Sequence, residues 1–233
     1  MLSTRKIKSF ERDIEEITEA LTQMGGMVEK SILTAILSLN TRNTRLAKEV
    51  IRYDQDIDQK EIDIDRLCIN YIALQQPKAS DLRFVTAVMK INNELERMGD
   101  YAESIARQTL FLAKKPAWRE LVNIPRMAEI ATSMVRECLD AFLKRDVKLA
   151  YEVIARDEEA DKMQSKIYKN LLNDMLTDKE NIERASSLLL VSSKLERIAD
   201  QSTNICEEVI YLVTGKIVRH REKVHALSSP SDS

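Results

Sequence analysis

The chain reads as an all-α protein of two tandem three-helix bundles related by internal duplication, with six long antiparallel helices in all. Three observations lead there. Only four Gly and four Pro punctuate 233 residues, and 5% of residues are aromatic while 32% are charged, a composition of long helices and not of a sandwich or barrel. Apolar residues recur at steps of three and four over long stretches. Two sequence blocks recur, in the same order, in the two halves of the chain.

The first helix is expected from about Thr4 to Leu39, with Ile14, Ile17, Leu21, Met24, Val28, Ile32, Ala35 and Leu39 on one stripe. Gly25-Gly26 interrupts it and is expected to kink or loosen it, at about 1 kcal/mol per Gly. Asn43 closes the turn 40–43 as an N-cap, and a second helix runs to about Leu74. The break 75–80 (QQPKAS) follows, with Ser80 or Asp81 as the cap of a third helix. That helix carries Phe84, Val88, Ile91, Leu95, Met98, Ala102, Ile105, Thr109 and Leu112, a bundle seam of alternating fours and threes. The stretch 114–125 holds two prolines and the only Trp, Trp118, and marks the boundary between units. Trp118 is read there chiefly as a surface-covering hydrophobe.

A fourth helix is expected from about Pro125 to Lys144, and Asp146 caps a fifth that runs to about Leu176. Asp178 caps the sixth, whose seam is Leu188, Val191, Leu195, Ile198, Ser202, Ile205, Val209 and Leu212. Gly215 ends it in the usual C′ position. The units are therefore about 1–115 and 121–215, followed by a flexible polar tail, 216–233, that includes Arg219–Lys223.

The duplication is visible in two blocks. LAKEVIRYDQDID (46–58) resembles LAYEVIARDEEAD (149–161), and LERMGD (95–100) resembles LERIAD (195–200). The separation between copies is three residues shorter for the second block. That change falls in the loop between the second and third helices of each unit, where a duplicated fold varies in length.

Charge and cysteine usage exclude several classes. A net charge of -2 and a pI of about 5.9 leave no basic excess to grip nucleic acid. Cys68, Cys138 and Cys206 are far apart, odd in number and without a CxxC pair, so each is read as a buried apolar residue in a reducing compartment. The N-terminus has no secretory h-region, and no uncharged run approaches the ~18 residues of a membrane span. A soluble, cytoplasmic protein with no direct membrane insertion is expected, one that meets membranes through a partner.

Four acid-x-x-x-acid pairs stand out: Asp54/Asp58, Glu96/Asp100, Asp157/Asp161 and Glu196/Asp200. The spacing stacks both carboxylates on one face of a helix. Against the Leu95 and Met98 seam, Glu96 and Asp100 fall on the exposed side, with Asn93 and Glu103 continuing the polar stripe. Asp54 and Asp58 begin a stripe continued by Glu61 and Asp65. If the second and third helices of a unit pack side by side, their pairs meet in one cluster of four carboxylates. Oxygen ligands alone favour hard ions such as Mg, Ca, Mn or iron and disfavour zinc held by Cys and His. Any one pair is commonplace on a charged helix; four at corresponding places in a repeat are not. Solvated acidic faces with weak ion pairs are the competing reading.

The paired LERMGDYAESIA and LERIADQSTNIC blocks, each closing a three-helix repeat, resemble the signature of the PhoU family, and the likeness covers about residues 5–215. The resemblance implies tandem three-helix bundles, in some members with multinuclear iron or other divalent metals at these carboxylates. It implies a non-enzymatic negative regulator of phosphate uptake and phosphate-responsive signalling. Such a regulator acts as an adaptor between the ATPase subunit of the phosphate-specific ABC transporter and the sensor kinase PhoR of the PhoR–PhoB system, and many members are homodimers. Ala199 stands where the first copy has Gly99, a change expected to leave metal binding intact. Two other classes stay open on the residues alone: a carboxylate-bridged metal enzyme and a metal-free structural adaptor. The ferritin-like plan needs Glu-x-x-His on each of two helices, a pairing this sequence lacks, and no Gly-rich phosphate loop or HExxH is present to favour the enzyme.

Overall fold

The computed structural model describes the backbone of residues 2–117 and 123–218 and the side chains of 12–117 and 123–218. Trp118 and the tail from 219 onward lie outside the described residues. The helices are α1 (Leu2–Thr41), α2 (Thr44–Gln75), α3 (Ser80–Leu112), α4 (Asn123–Lys144), α5 (Val147–Ala155), α6 (Asp157–Thr177) and α7 (Ile182–Thr214), with one 3₁₀ turn at Lys179–Asn181. They form six rods, because α5 and α6 together occupy the place of the single fifth helix that the periodicity predicts.

Local chemistry accounts for most boundaries. Asn43 Oδ1 accepts from the backbone N–H of Arg45 and Leu46 at 3.0 and 3.2 Å, and Asp146 Oδ1 accepts from Leu149 N–H at 3.0 Å. Each cap follows an arginine in the left-handed region, Arg42 (φ 54) and Arg145 (φ 51). The turn is thus duplicated down to its backbone angles. Gly215 adopts φ 71 and its N–H reaches Tyr211 O at 2.8 Å, the αL cap its position predicts. Neither Ser80 nor Asp81 caps α3. Ala79 (φ 42) holds that position without a side-chain hydrogen bond, and Asp81 lies in the first turn, where it meets the helix dipole.

Two expectations about continuity are corrected. α1 runs unbroken through Gly25-Gly26. The role of Gly25 is close approach: a methyl there would collide with the Leu139 side chain of α4. The fifth rod breaks at Arg156, where Arg156 N–H bonds Val153 O (3.1 Å) and Glu159 N–H bonds Arg156 O (2.9 Å), both at three-residue spacing. The Arg156 guanidinium reaches both carboxylate oxygens of Glu137 and the Ser133 hydroxyl, each at 2.6 Å. At the corresponding place in the first copy stands Tyr53, with Lys30 4.9 Å from its ring centroid, and α2 is continuous.

α1, α2 and α3 pack on one another, as do α4, α5–α6 and α7, and the two sets join through α3 on α7 and α1 on α4. One continuous core serves both. α3 and α7 run antiparallel, since Lys90 pairs with Glu208 at 2.9 Å while the Ser187 hydroxyl donates to Gln108 Oε1 at 2.8 Å. The crossing falls at Met98 and Gly99 against Ile198 and Ala199, all fully or almost fully buried, so a pseudo-two-fold axis relates the copies. Cys68, Cys138 and Cys206 are free and buried. Burial drives the Cys68 and Cys138 thiols up to about 12, which makes both poor nucleophiles. No helix among the described residues is long and apolar enough to cross a membrane.

Candidate metal centre: two carboxylate clusters

The pseudo-two-fold places Asp54, Asp58, Glu96 and Asp100 between α2 and α3, and Asp157, Asp161, Glu196 and Asp200 between α6 and α7. In each repeat the two acidic pairs act on one another. Glu96 is raised by burial and by the charges of Asp100, Asp58 and Glu61, against the opposing pull of Arg97. Asp100 is raised by burial, Asp58 and Glu103, with Lys194 of α7 and Arg97 opposing. In the second copy Glu196 is raised by burial and Asp200, opposed by Arg197 and pushed further by Asp161 and Asp157.

Asp54 departs from the expected exposed stripe. It is only 9% exposed, and its Oδ1 is buried without a hydrogen-bond partner. Burial, followed by the charges of Asp58, Asp100, Glu103 and Glu96, lifts its carboxyl from 3.8 to about 7. The cause is positional. The buried residues of α2 include Ala47, Val50, Asp54, Ile57, Ile64, Cys68 and Tyr71, a seam of alternating threes and fours, and Asp54 occupies one of its places. Glu61 fills the seam step between Ile57 and Ile64 and is likewise raised, by burial, Asp65 and Asp58. An acid interrupting an apolar seam is a signal present in the sequence, and it identifies both residues.

Gly99 supplies the space. A Cβ there would lie 3.2 Å from Asp54 Oδ1 and 3.2 Å from both Ile57 Cδ1 and Cγ2. Glu103 joins the cluster one turn beyond Asp100 and is held by Arg107 at 2.5 Å. Asn92 Nδ2 donates to Glu61 O (3.0 Å) and Asp65 Oδ1 (3.2 Å), fixing the far end. Asn93, expected on this stripe, instead lines a groove between α3 and α7 with Met89, Lys90, Glu94 and Asn204.

Among the described residues, no three acids converge as a ready ligand sphere with the side chains as they stand. The donor set is nevertheless all oxygen, and an unpaired buried carboxylate oxygen is costly unless a proton or cation meets it. By donor type and by that orphaned atom, the residues fit a hard cation, with the exposed Asp58 and Asp100 free to rotate toward it.

A family model described as the PhoU domain matches residues 21–109 and again 124–209. The chain belongs to the PhoU family. Among PhoU relatives, an Aquifex aeolicus protein named phosphate-specific transport system accessory protein PhoU homolog is 41% identical over 210 residues, covering 90% of this chain and 95% of that protein. The Escherichia coli phosphate-specific transport system accessory protein PhoU is 34% identical over 211 residues, covering 91% and 88%. The crystal structure of PhoU from Pseudomonas aeruginosa superposes with a TM-score of 0.86 at 35% identity, covering 89% of this chain and all of that one. The phosphate transport system regulatory protein PhoU from Streptococcus pneumoniae gives 0.84 at 30% identity, with 90% and 99% covered. The PhoU fold is thus shared along nearly the whole length, and both repeats carry the family domain.

Proposed function

We propose that this chain is a non-enzymatic accessory regulator of a phosphate-specific transport system, one that damps phosphate uptake and phosphate-responsive signalling when phosphate is plentiful. Membership of the PhoU family across both repeats carries the reading. The relatives are named as accessory or regulatory proteins of phosphate transport, and the chain aligns with them almost end to end. The partners in this reading are the ATPase subunit of the transporter and the PhoR kinase of the PhoR–PhoB pair. The chain works in the cytoplasm as a homodimer and reaches the membrane only through these partners.

Regulation of this kind needs differential affinity: the chain must bind one state of the ATPase or kinase more tightly than the other, and the shift cannot exceed that difference. The continuous core supports such a role, since a body joined through α3 and α7 presents fixed surfaces to a partner. A hard divalent or ferric ion belongs to the reading as well. Asp54, Asp58, Glu96 and Asp100 would hold it in the first repeat, and Asp157, Asp161, Glu196 and Asp200 in the second. Bound there, the ion would supply charge neutralisation that ties α2 to α3 and α6 to α7.

The test is co-purification of the tagged chain with the ATPase subunit and the kinase from cells grown in high phosphate. Specific recovery of either partner is expected. Recovery of neither, with the transporter present in the lysate, contradicts the assignment.

A further inference from the structure

We propose that the two carboxylate clusters are not equivalent: the first repeat holds the tight cation site, and the second binds such an ion at least about tenfold more weakly. This rests on the metal reading above and adds to it which repeat carries the ion.

The clusters differ first in composition. Around the four shared acids, the first copy adds Glu61, Asp65 and Glu103, whereas the equivalent positions of the second are Gln164, Tyr168 and Thr203. The second copy gains Glu207 in place of Arg107 and Glu158 in place of Gln55, but Glu207 lines the α3–α7 groove, Glu158 pairs with Lys162 at 2.7 Å, and neither is among the charges that act on Glu196. Hard cations bind more tightly as anionic ligands accumulate, so the three lost carboxylates weaken the second cluster. Thr203 has also turned inward, its hydroxyl donating to Asp200 O at 2.8 Å.

The second difference is burial. Asp54 is nine-tenths buried and its Oδ1 has no partner, while Asp157, its equivalent, is only partly buried. The packing explains this. Asp54 leans over Gly99, where a methyl would stand 3.2 Å from its oxygen. The second copy has that methyl, on Ala199, and offsets the volume by replacing Ile57 with Ala160; both alanines are buried. The wall against which the Asp54 oxygen rests is therefore built differently in the second repeat.

The third difference is the neighbouring cation. Arg97 Nη2 reaches the Tyr101 hydroxyl at 3.4 Å. In the second copy the tyrosine is replaced by the buried Gln201, and Arg197 lies 3.9 Å from both Glu196 and Asp200. The first cluster has cations at its rim too, with Arg107 on Glu103, Lys194 near Asp100, and Arg97 itself acting on Glu96 and Asp100 from a greater distance than an ion pair. The four charges acting most strongly on Asp54 are nonetheless all carboxylates.

The experiment is titration of the full chain, stripped with chelator, with Mn²⁺, following free Mn²⁺ by electron paramagnetic resonance and checking helicity of each variant by circular dichroism. Wild type is expected to show one tight class of site. Asp54→Asn/Asp58→Asn weakens that class at least about tenfold. Asp157→Asn/Asp161→Asn leaves it within about twofold. Gly99→Ala, which keeps every ligand, weakens it as well. A tight class holding equal amounts of Mn²⁺ in both repeats, seen as an equal loss in the two double variants, overturns the asymmetry and leaves the metal reading standing. Wild type that binds no Mn²⁺ overturns both.

Discussion

Asp54 shows how one side chain can set the character of a site. It sits in the apolar seam of α2 between Val50 and Ile57, with its Oδ1 where a Cβ on Gly99 would come within 3.2 Å. With its carboxyl raised to about 7, the folded protein holds a proton that the unfolded chain, titrating near 3.8, has already released. The folded state therefore binds more protons between about pH 4 and pH 7, so the Asp54 contribution to stability falls as pH rises through that window and is level above it. Chemical denaturation of the chelator-stripped protein at a series of pH values is expected to show this decline, and Asp54→Asn to flatten it. An equally steep decline in the variant would mean that other groups cause it. The four acidic pairs are legible in the sequence as spacing. The burial of Asp54 does not follow from the helical wheel built on the α3 seam, which says nothing about the facing helix. The α2 seam, read in its own right, exposes both Asp54 and Glu61.

At the scale of elements, caps and periodicity carried most of the fold, and the exceptions have tertiary causes. Asn43 and Asp146 cap with the bonds their types predict. Ser80 does not: its hydroxyl reaches only Asp81 Oδ1, at 3.4 Å, because Ala79 takes the cap position after the left-handed Gln76 (φ 51). Urea denaturation should therefore separate two similar-looking changes. Asn43→Ala is expected to cost about 1 kcal/mol, and Ser80→Ala to stay within about 0.5 kcal/mol. A full cap cost at Ser80 would contradict the assigned boundary. The break at Arg156 was hidden for a different reason. The apolar period runs straight through it, and the local 3₁₀ spacing accompanies a guanidinium held by Glu137 and Ser133 of α4. These contacts exist only after the rods pack. The sequence presents Gly25 as a loosening of α1, whereas its use is the seating of Leu139 across the junction between repeats.

Over the whole molecule, duplication organises both stability and function. The antiparallel crossing of α3 and α7 puts Met98 and Ile198 into a shared core and sets the two carboxylate clusters on opposite sides of a pseudo-two-fold axis. Two repeats joined this way need not keep two identical sites. Gln164, Tyr168, Thr203 and Ala199 show one copy departing from the acidic pattern while its fold is retained. A sequence in two copies is legible as a repeat; how the two carboxylate clusters differ shows only in burial and in where Arg97 and Arg197 reach. The regulatory reading belongs to this scale as well, because family membership spans both repeats. Its most direct test is uptake of radiolabelled phosphate by cells with and without this chain, grown with phosphate in excess. Faster uptake on removal, restored to the damped rate when the chain is supplied again, is the predicted result; uptake that does not change on removal contradicts the account.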